Sequence, residues 1–149
     1  MRRIKKVAIL GSGVMGSRIA CHFANIGIDV LLLDIIPNEL NAKEIAKGIS
    51  TENEIFKNRI VNEALNSSIK SNPSPIYLKS NTQLITTGNF NDDMSKINDC
   101  DWTIEVVIEI IDIKKEVFNN VEKYRKKGTL ITSNTSGIPI SMMLEDRSD

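Results

Sequence analysis

The sequence is short of the residues that mark special environments. Its two cysteines, Cys21 and Cys100, show neither C-x-x-C nor Cys/His spacing. A disulfide framework and a metal site are therefore not expected, and both read as free thiols of a reducing compartment. Charge of one sign is missing too, because 19 Lys and Arg balance 19 Asp and Glu. Such a chain offers no one-signed field to hold nucleic acid. No apolar run approaches the ~20 residues needed to cross a bilayer. The basic opening Met1-Arg2-Arg3-Ile4-Lys5-Lys6 has the outline of a signal peptide, but the stretch after it, Val7 to Ser17, holds three glycines and stops at Arg18. The expectation is a cytoplasmic protein with neither nucleic-acid nor membrane partners.

What is present is ordinary globular material: 149 residues, 41% hydrophobic and 26% charged, enough for one domain spanning 1–149. Short apolar runs alternate with longer helical segments, the α/β signature. Val7-Ala8-Ile9-Leu10 reads as a parallel strand covered on both faces. From Val14 to Ile26 apolar residues recur at three- and four-residue steps, and Gly27 sits where a helix C-cap would. Val30-Leu31-Leu32-Leu33 predicts a second strand ending at Asp34. Residues 38–71 read as helical in two pieces broken near Gly48, with Thr51 and Glu54 spaced as a capping box for the second. Asn72-Pro73-Ser74-Pro75 is a loop. Further strands are expected at Leu84 to Thr87, Trp102 to Val107 and Thr129 to Thr132. Between the last two, Asp112 is expected to cap a helix with Ile113, Val117, Val121 and Tyr124 on its inner face, closing near Gly128.

One motif gives this pattern a function. Gly11-Ser12-Gly13-Val14-Met15-Gly16 fits G-x-G-x-x-G and lies between the first strand and the first helix. The first glycine permits a tight turn, the second lets backbone approach a pyrophosphate, and the third lets helix pack closely on strand. The helix N-terminus adds N–H donors and a partial positive charge for the phosphates. Asp34 then stands at the end of the second strand, 18 residues after Gly16, where a carboxylate accepts hydrogen bonds from ribose hydroxyls. Ile35, Ile36 and Pro37 follow it, with no cation placed to pair with a 2′-phosphate, so NAD is favoured over NADP. The expected fold is a Rossmann-type, doubly wound, mainly parallel α/β sheet with helices on both faces and a helical insertion after the second strand.

Other polar residues also fall just after strands: Glu109 after the fourth, and Asn134, Thr135 and Ser136 after the fifth. Ligands of an open parallel sheet bind beyond its carboxyl ends. These residues, with Lys114 one turn into the next helix, are therefore expected to share the cleft. Each has a plainer alternative, as a solvated charge or a turn residue.

Together, Gly11 to Gly16, Asp34, the block from Ile104 through Glu109 and Lys114 to Phe118, and Ser133-Asn134-Thr135-Ser136 resemble the NAD-binding domain of 3-hydroxyacyl-CoA dehydrogenases. The resemblance spans essentially the whole chain. It implies oxidation of 3-hydroxyacyl-CoA in fatty-acid β-oxidation, with hydride passing from C3 to nicotinamide. On the same resemblance, Glu109 and Lys114 contact the cofactor, as does the loop Gly11-Ser12-Gly13-Val14-Met15-Gly16. Ser136 lies near nicotinamide and substrate oxygen, and Asn134 belongs to the same catalytic loop. The resemblance further implies a helical C-terminal domain, a homodimeric parent and, by its N-terminal wording, a fused enoyl-CoA hydratase.

Three departures stand out. The family's catalytic histidine and its carboxylate partner match nothing up to Asp149, and the single histidine, His22, sits inside the first helix. On that ground the chain reads as an N-terminal fragment, with little oxidation expected from it alone. Gly137 stands where a second serine commonly follows Asn-Thr-Ser. Lys57, Arg59 and Lys70, in the region corresponding to the family's coenzyme A site, read more readily as a solvated helix face. Two rivals stay open: another Rossmann dehydrogenase acting on a hydroxy acid or sugar phosphate, and a non-catalytic NAD-sensing module.

Overall fold

The computed structural model describes residues 3–144. Five strands, β1 (Lys6–Leu10), β2 (Asp29–Asp34), β3 (Ile85–Asn89), β4 (Trp102–Glu105) and β5 (Leu130–Ser133), form one sheet in the order β3-β2-β1-β4-β5. Every neighbouring pair is parallel. Around them run α1 (Val14–Asn25), α2 (Ala42–Ala46), α3 (Glu54–Lys57), α4 (Arg59–Ile69), α5 (Ile111–Tyr124) and α6 (Ile140–Met143), with 3-10 turns at Lys79–Leu84 and Met94–Asp99.

Strand side chains alternate between two cores, the consequence of a two-residue pleat. Val7, Ile9, Val30, Leu32 and Ile104 meet Ala20, Cys21 and Phe23 of α1 and Val61 and Leu65 of α4. Ala8, Leu10, Leu31 and Leu33 point the other way, onto Val117 and Val121 of α5 and Met94, Ile97 and Cys100. The doubly wound fold and its helical insertion are as expected. Both cysteines are free thiols, and the structure buries them. No helix among the described residues is long and apolar enough to cross a membrane.

Several local expectations need correction. The insertion contains three helices rather than two pieces. Gly48, at φ +66°, does break it, but a second break falls at Asn58 between α3 and α4. Thr51 and Glu54 form no capping box; Asn53 caps α3 by accepting from the Ile55 N–H. The reciprocal box lies earlier, at Asn41 and Glu44, where the shorter α2 begins. Asp112 caps nothing: Ile110 occupies that position without a side-chain bond, and Asp112 lies in the first turn of α5, where its charge suits the helix dipole. β4 stops at Glu105 instead of Val107 because Glu105 Oε1 accepts the Val107 N–H at 2.7 Å, turning the chain out of the ladder.

Candidate functional site

Strand order reverses between β1 and β4, so the chain leaves these two neighbours toward opposite sides and opens a crevice at their carboxyl ends. Gly11 occupies the base of that crevice. Its N–H donates to the Leu33 carbonyl at 2.8 Å, and its φ of +108° lies in the region that favours glycine. A Cβ there would stand 2.6 Å from the Val106 carbonyl oxygen. Gly16 is equally constrained, since a Cβ on it would come within 1.8 Å of the Gly11 carbonyl oxygen. These two glycines serve the protein's own packing. Gly13 differs: a Cβ there would meet nothing within 4 Å, and its φ of −52° suits any residue. The space it leaves is open to a ligand. Beyond it, α1 begins with no side-chain cap and no acidic residue in its first turn, leaving its dipole to an external anion.

Asp34 closes the other end of this cradle. Its Oδ2 accepts the Ser12 N–H at 2.6 Å and the Ser12 hydroxyl at 2.5 Å, while Oδ1 accepts the Ile35 N–H at 2.7 Å. Ser12 is buried and is itself held by Ser17, whose hydroxyl donates to the Ser12 carbonyl at 2.6 Å. The carboxylate is thus aimed before any ligand arrives, with lone pairs left on Oδ1 for a diol. Val14 and Met15 are exposed at the rim, as is Ile35 beyond Asp34. The donors, the anion site and the carboxylate fit a dinucleotide bound along the crevice.

A second group gathers at the ends of β4 and β5. Glu109 Oε1 accepts the Thr135 hydroxyl and, at 3.1 Å, the Gly137 N–H; its Oε2 lies 3.1 Å from Lys114 Nζ. The Thr135 hydroxyl, the Gly137 amide and the Lys114 ammonium, in that order, hold the Glu109 carboxyl down to about 2. It is therefore an acceptor at neutral pH and no proton donor. Asn134 and Ser136 are exposed on the loop that these bonds fix, and the Asn134 N–H extends the ladder to the Glu105 carbonyl at 2.8 Å.

Lys114 is not where the sequence put it. The side chain is wholly buried, with Glu105 carboxylate oxygens 2.7 and 2.9 Å from Nζ. Its link to the cleft in this structure runs through Glu109, 3.1 Å away. Glu105, equally buried, is the residue that sequence reasoning missed. An acid in the middle of an Ile-Glu-Val-Val run at a strand end is the signal that could have found it. His22 lies in the last turn of α1, away from the glycine loop, so it takes no part here. Lys57 pairs with Glu52 and Asp92, and Arg59 with Glu44 and the Glu39 carbonyl, so these basics hold the insertion together and tie it to the turn after β3. Lys70 is exposed at the end of α4. A cavity of about 510 Å³ lies along the outer edge of β5, its apolar wall made by Phe118, Ile131, Ile140, Met143 and Leu144 and the rest by polar residues in and next to α5 and β5. It sits on the far side of β5 from the switch point and offers no phosphate cradle.

Compared with known proteins, residues 6–149 match the model of the 3-hydroxyacyl-CoA dehydrogenase NAD-binding domain. The chain belongs to that family. It is an NAD-binding domain, in keeping with its glycine loop and Asp34. A probable 3-hydroxyacyl-CoA dehydrogenase of Bacillus subtilis is 47% identical over 148 residues, which are 99% of this chain and 19% of that protein. Another from Deinococcus radiodurans is 38% identical, again over 99% of this chain and 38% of its own length. A peroxisomal fatty acid beta-oxidation multifunctional protein of Arabidopsis thaliana is 32% identical over 97% of the chain and 18% of its own. Among solved structures, the (S)-3-hydroxybutyryl-CoA dehydrogenase of Ralstonia eutropha superposes with a TM-score of 0.65 at 24% identity, covering 98% of this chain and 46% of that one. That likeness supports the fold. The chain therefore spans less than half of each of these relatives.

Proposed function

We propose that this domain serves NAD-dependent oxidation of 3-hydroxyacyl-CoA to 3-oxoacyl-CoA in fatty-acid β-oxidation, as the nucleotide-binding part of a longer, homodimeric protein. A fused enoyl-CoA hydratase would make that protein one of the multifunctional type found among the relatives. One observation carries the reading: the dinucleotide cradle of Gly11 to Gly16 and Asp34 shares its sheet end with the loop that Glu109 fixes and that presents Asn134 and Ser136. When bound, NAD would take the hydride from C3 of the hydroxyacyl chain. Ser12 and Asp34 orient the ribose, and the α1 N-terminus neutralises the pyrophosphate. The Ser136 hydroxyl and Asn134 amide are hydrogen-bond partners for the substrate oxygen. Glu109, ionised throughout the neutral range, orients the loop and leaves proton acceptance to a base outside the described residues.

The test is reduction of NAD by 3-hydroxybutyryl-CoA in the full-length polypeptide, followed through the absorbance of reduced nicotinamide. Ser136→Ala and Asn134→Ala are each expected to lower kcat by about 10²-fold, the scale of removing one donor from a developing oxyanion. Equal turnover of small hydroxy acids or sugar phosphates would replace this reading with a different dehydrogenase. Binding of NAD without any turnover would favour a sensing module.

A further inference from the structure

Full burial of a lysine and a glutamate is costly, so their joint presence at one strand end calls for a physical role. Glu105 uses every available acceptor. Oε1 takes the Val107 N–H and Lys114 Nζ, each at 2.7 Å, and Oε2 takes Lys114 Nζ at 2.9 Å and the Ser133 hydroxyl at 2.5 Å. Lys114 spans onward to Glu109 at 3.1 Å, and Glu109 binds Thr135 and Gly137. The contacts close a ring. It leaves β4 at Glu105, crosses to α5 through Lys114, reaches the segment before α5 at Glu109, passes to the loop after β5, and returns through Ser133.

We propose that Glu105 and Lys114 are positioning residues, a buried ion pair that holds Glu109 and, through it, the 134–137 loop at the catalytic end of the cleft. Both side chains are wholly buried. Removing the pair frees Glu109 to swing into solvent, since its side chain is 42% exposed and its remaining partners lie on a surface loop. The importance of that loop for chemistry rests on the dehydrogenase reading above; the mechanical role of the pair does not.

The experiment compares the parent with Lys114→Met and with the double variant Glu105→Gln/Lys114→Met. Met alone strands a buried carboxylate and is expected to destabilise the fold strongly. The double variant removes both charges while Gln keeps bonds to Val107 and Ser133, so it recovers most of the lost thermal stability. A pair serving only as core packing would recover the loop as well. We expect instead that the double variant titrates Glu109, followed by carboxyl carbon NMR, roughly one unit above the parent. Its Gly137 amide should exchange at least about tenfold faster, the scale of one lost charge-assisted hydrogen bond. Parent-like values of both quantities in a stable double variant would overturn the proposal. In the unmodified chain, the Lys114 Nζ resonance is expected to follow the Glu109 titration, and indifference to it would refute the proposal even if both variants failed to fold. None of these readouts needs NAD or substrate, so they stand or fall separately from the turnover assay.

Discussion

Gly13 and Gly16 belong to one motif, yet their surroundings require opposite responses to an added methyl group. At Gly16 a Cβ would stand 1.8 Å from the Gly11 carbonyl oxygen and 2.9 Å from its carbon, both backbone atoms of the crevice floor. Relief requires α1 to withdraw by more than an ångström from a sheet on which it buries Ala20, Cys21, Phe23 and Ala24. Overpacking of this kind costs about 3 kcal/mol, the upper end of the usual range because backbone must move, against roughly 1 kcal/mol gained from better helix propensity, a net loss of about 2 kcal/mol. Gly16→Ala should therefore lower Tm by about 4–8 °C, at roughly 2–4 °C per kcal/mol for a chain of this size, and weaken NAD binding in step. At Gly13 there is nothing within 4 Å and φ is −52°, so Ala strains nothing and slightly restricts the unfolded chain. Gly13→Ala should leave Tm unchanged or about 1–3 °C higher. Its methyl fills the space meant for the pyrophosphate, and NAD affinity should fall at least about tenfold, equal to about 1.4 kcal/mol. Melting by circular dichroism and titration calorimetry measure the two quantities. If both variants lose stability and binding in parallel, the separation of a packing glycine from a ligand glycine is refuted.

Acid should act on the 134–137 loop. The folded Glu109 carboxyl is held down to about 2, so its contribution is fully present above the ordinary carboxylate range and is lost as pH falls toward that value. Thr135→Val removes the largest cause and should shift the loss to higher pH, read from the Glu109 carboxyl resonance. The Cys100 thiol is pushed up to about 11 by burial, with Lys6 lowering it and Asp99 raising it to smaller extents. Cys100 should resist alkylation at neutral pH and react only at the rate of global unfolding, which mass spectrometry of labelled peptides would measure.

The sheet was legible because its strands are buried on both faces. Val7 to Leu10 and Val30 to Leu33 are unbroken apolar runs, as a parallel central strand requires, and each registers residue for residue in the structure. The glycine loop and Asp34 were legible because their spacing encodes a geometry. The insertion was less so: Asn41, Asn53 and Thr51 all resemble caps, the structure uses the first two, and Arg59 bonding Glu44 across 15 residues places the reciprocal box at Asn41. That choice is tertiary, so local pattern could not make it. Lys114 misled for the same reason. A lysine one turn into a helix ordinarily reaches solvent, and only its neighbour Glu105 draws it inward.

The most direct test of the central claim is calorimetric titration of this chain with NAD and with NADP, alongside Asp34→Ala. Micromolar-to-millimolar binding of NAD, weaker binding of NADP, and loss of that preference in the variant are predicted. A chain well folded by circular dichroism that binds neither dinucleotide, or binds both equally with or without Asp34, would contradict the account.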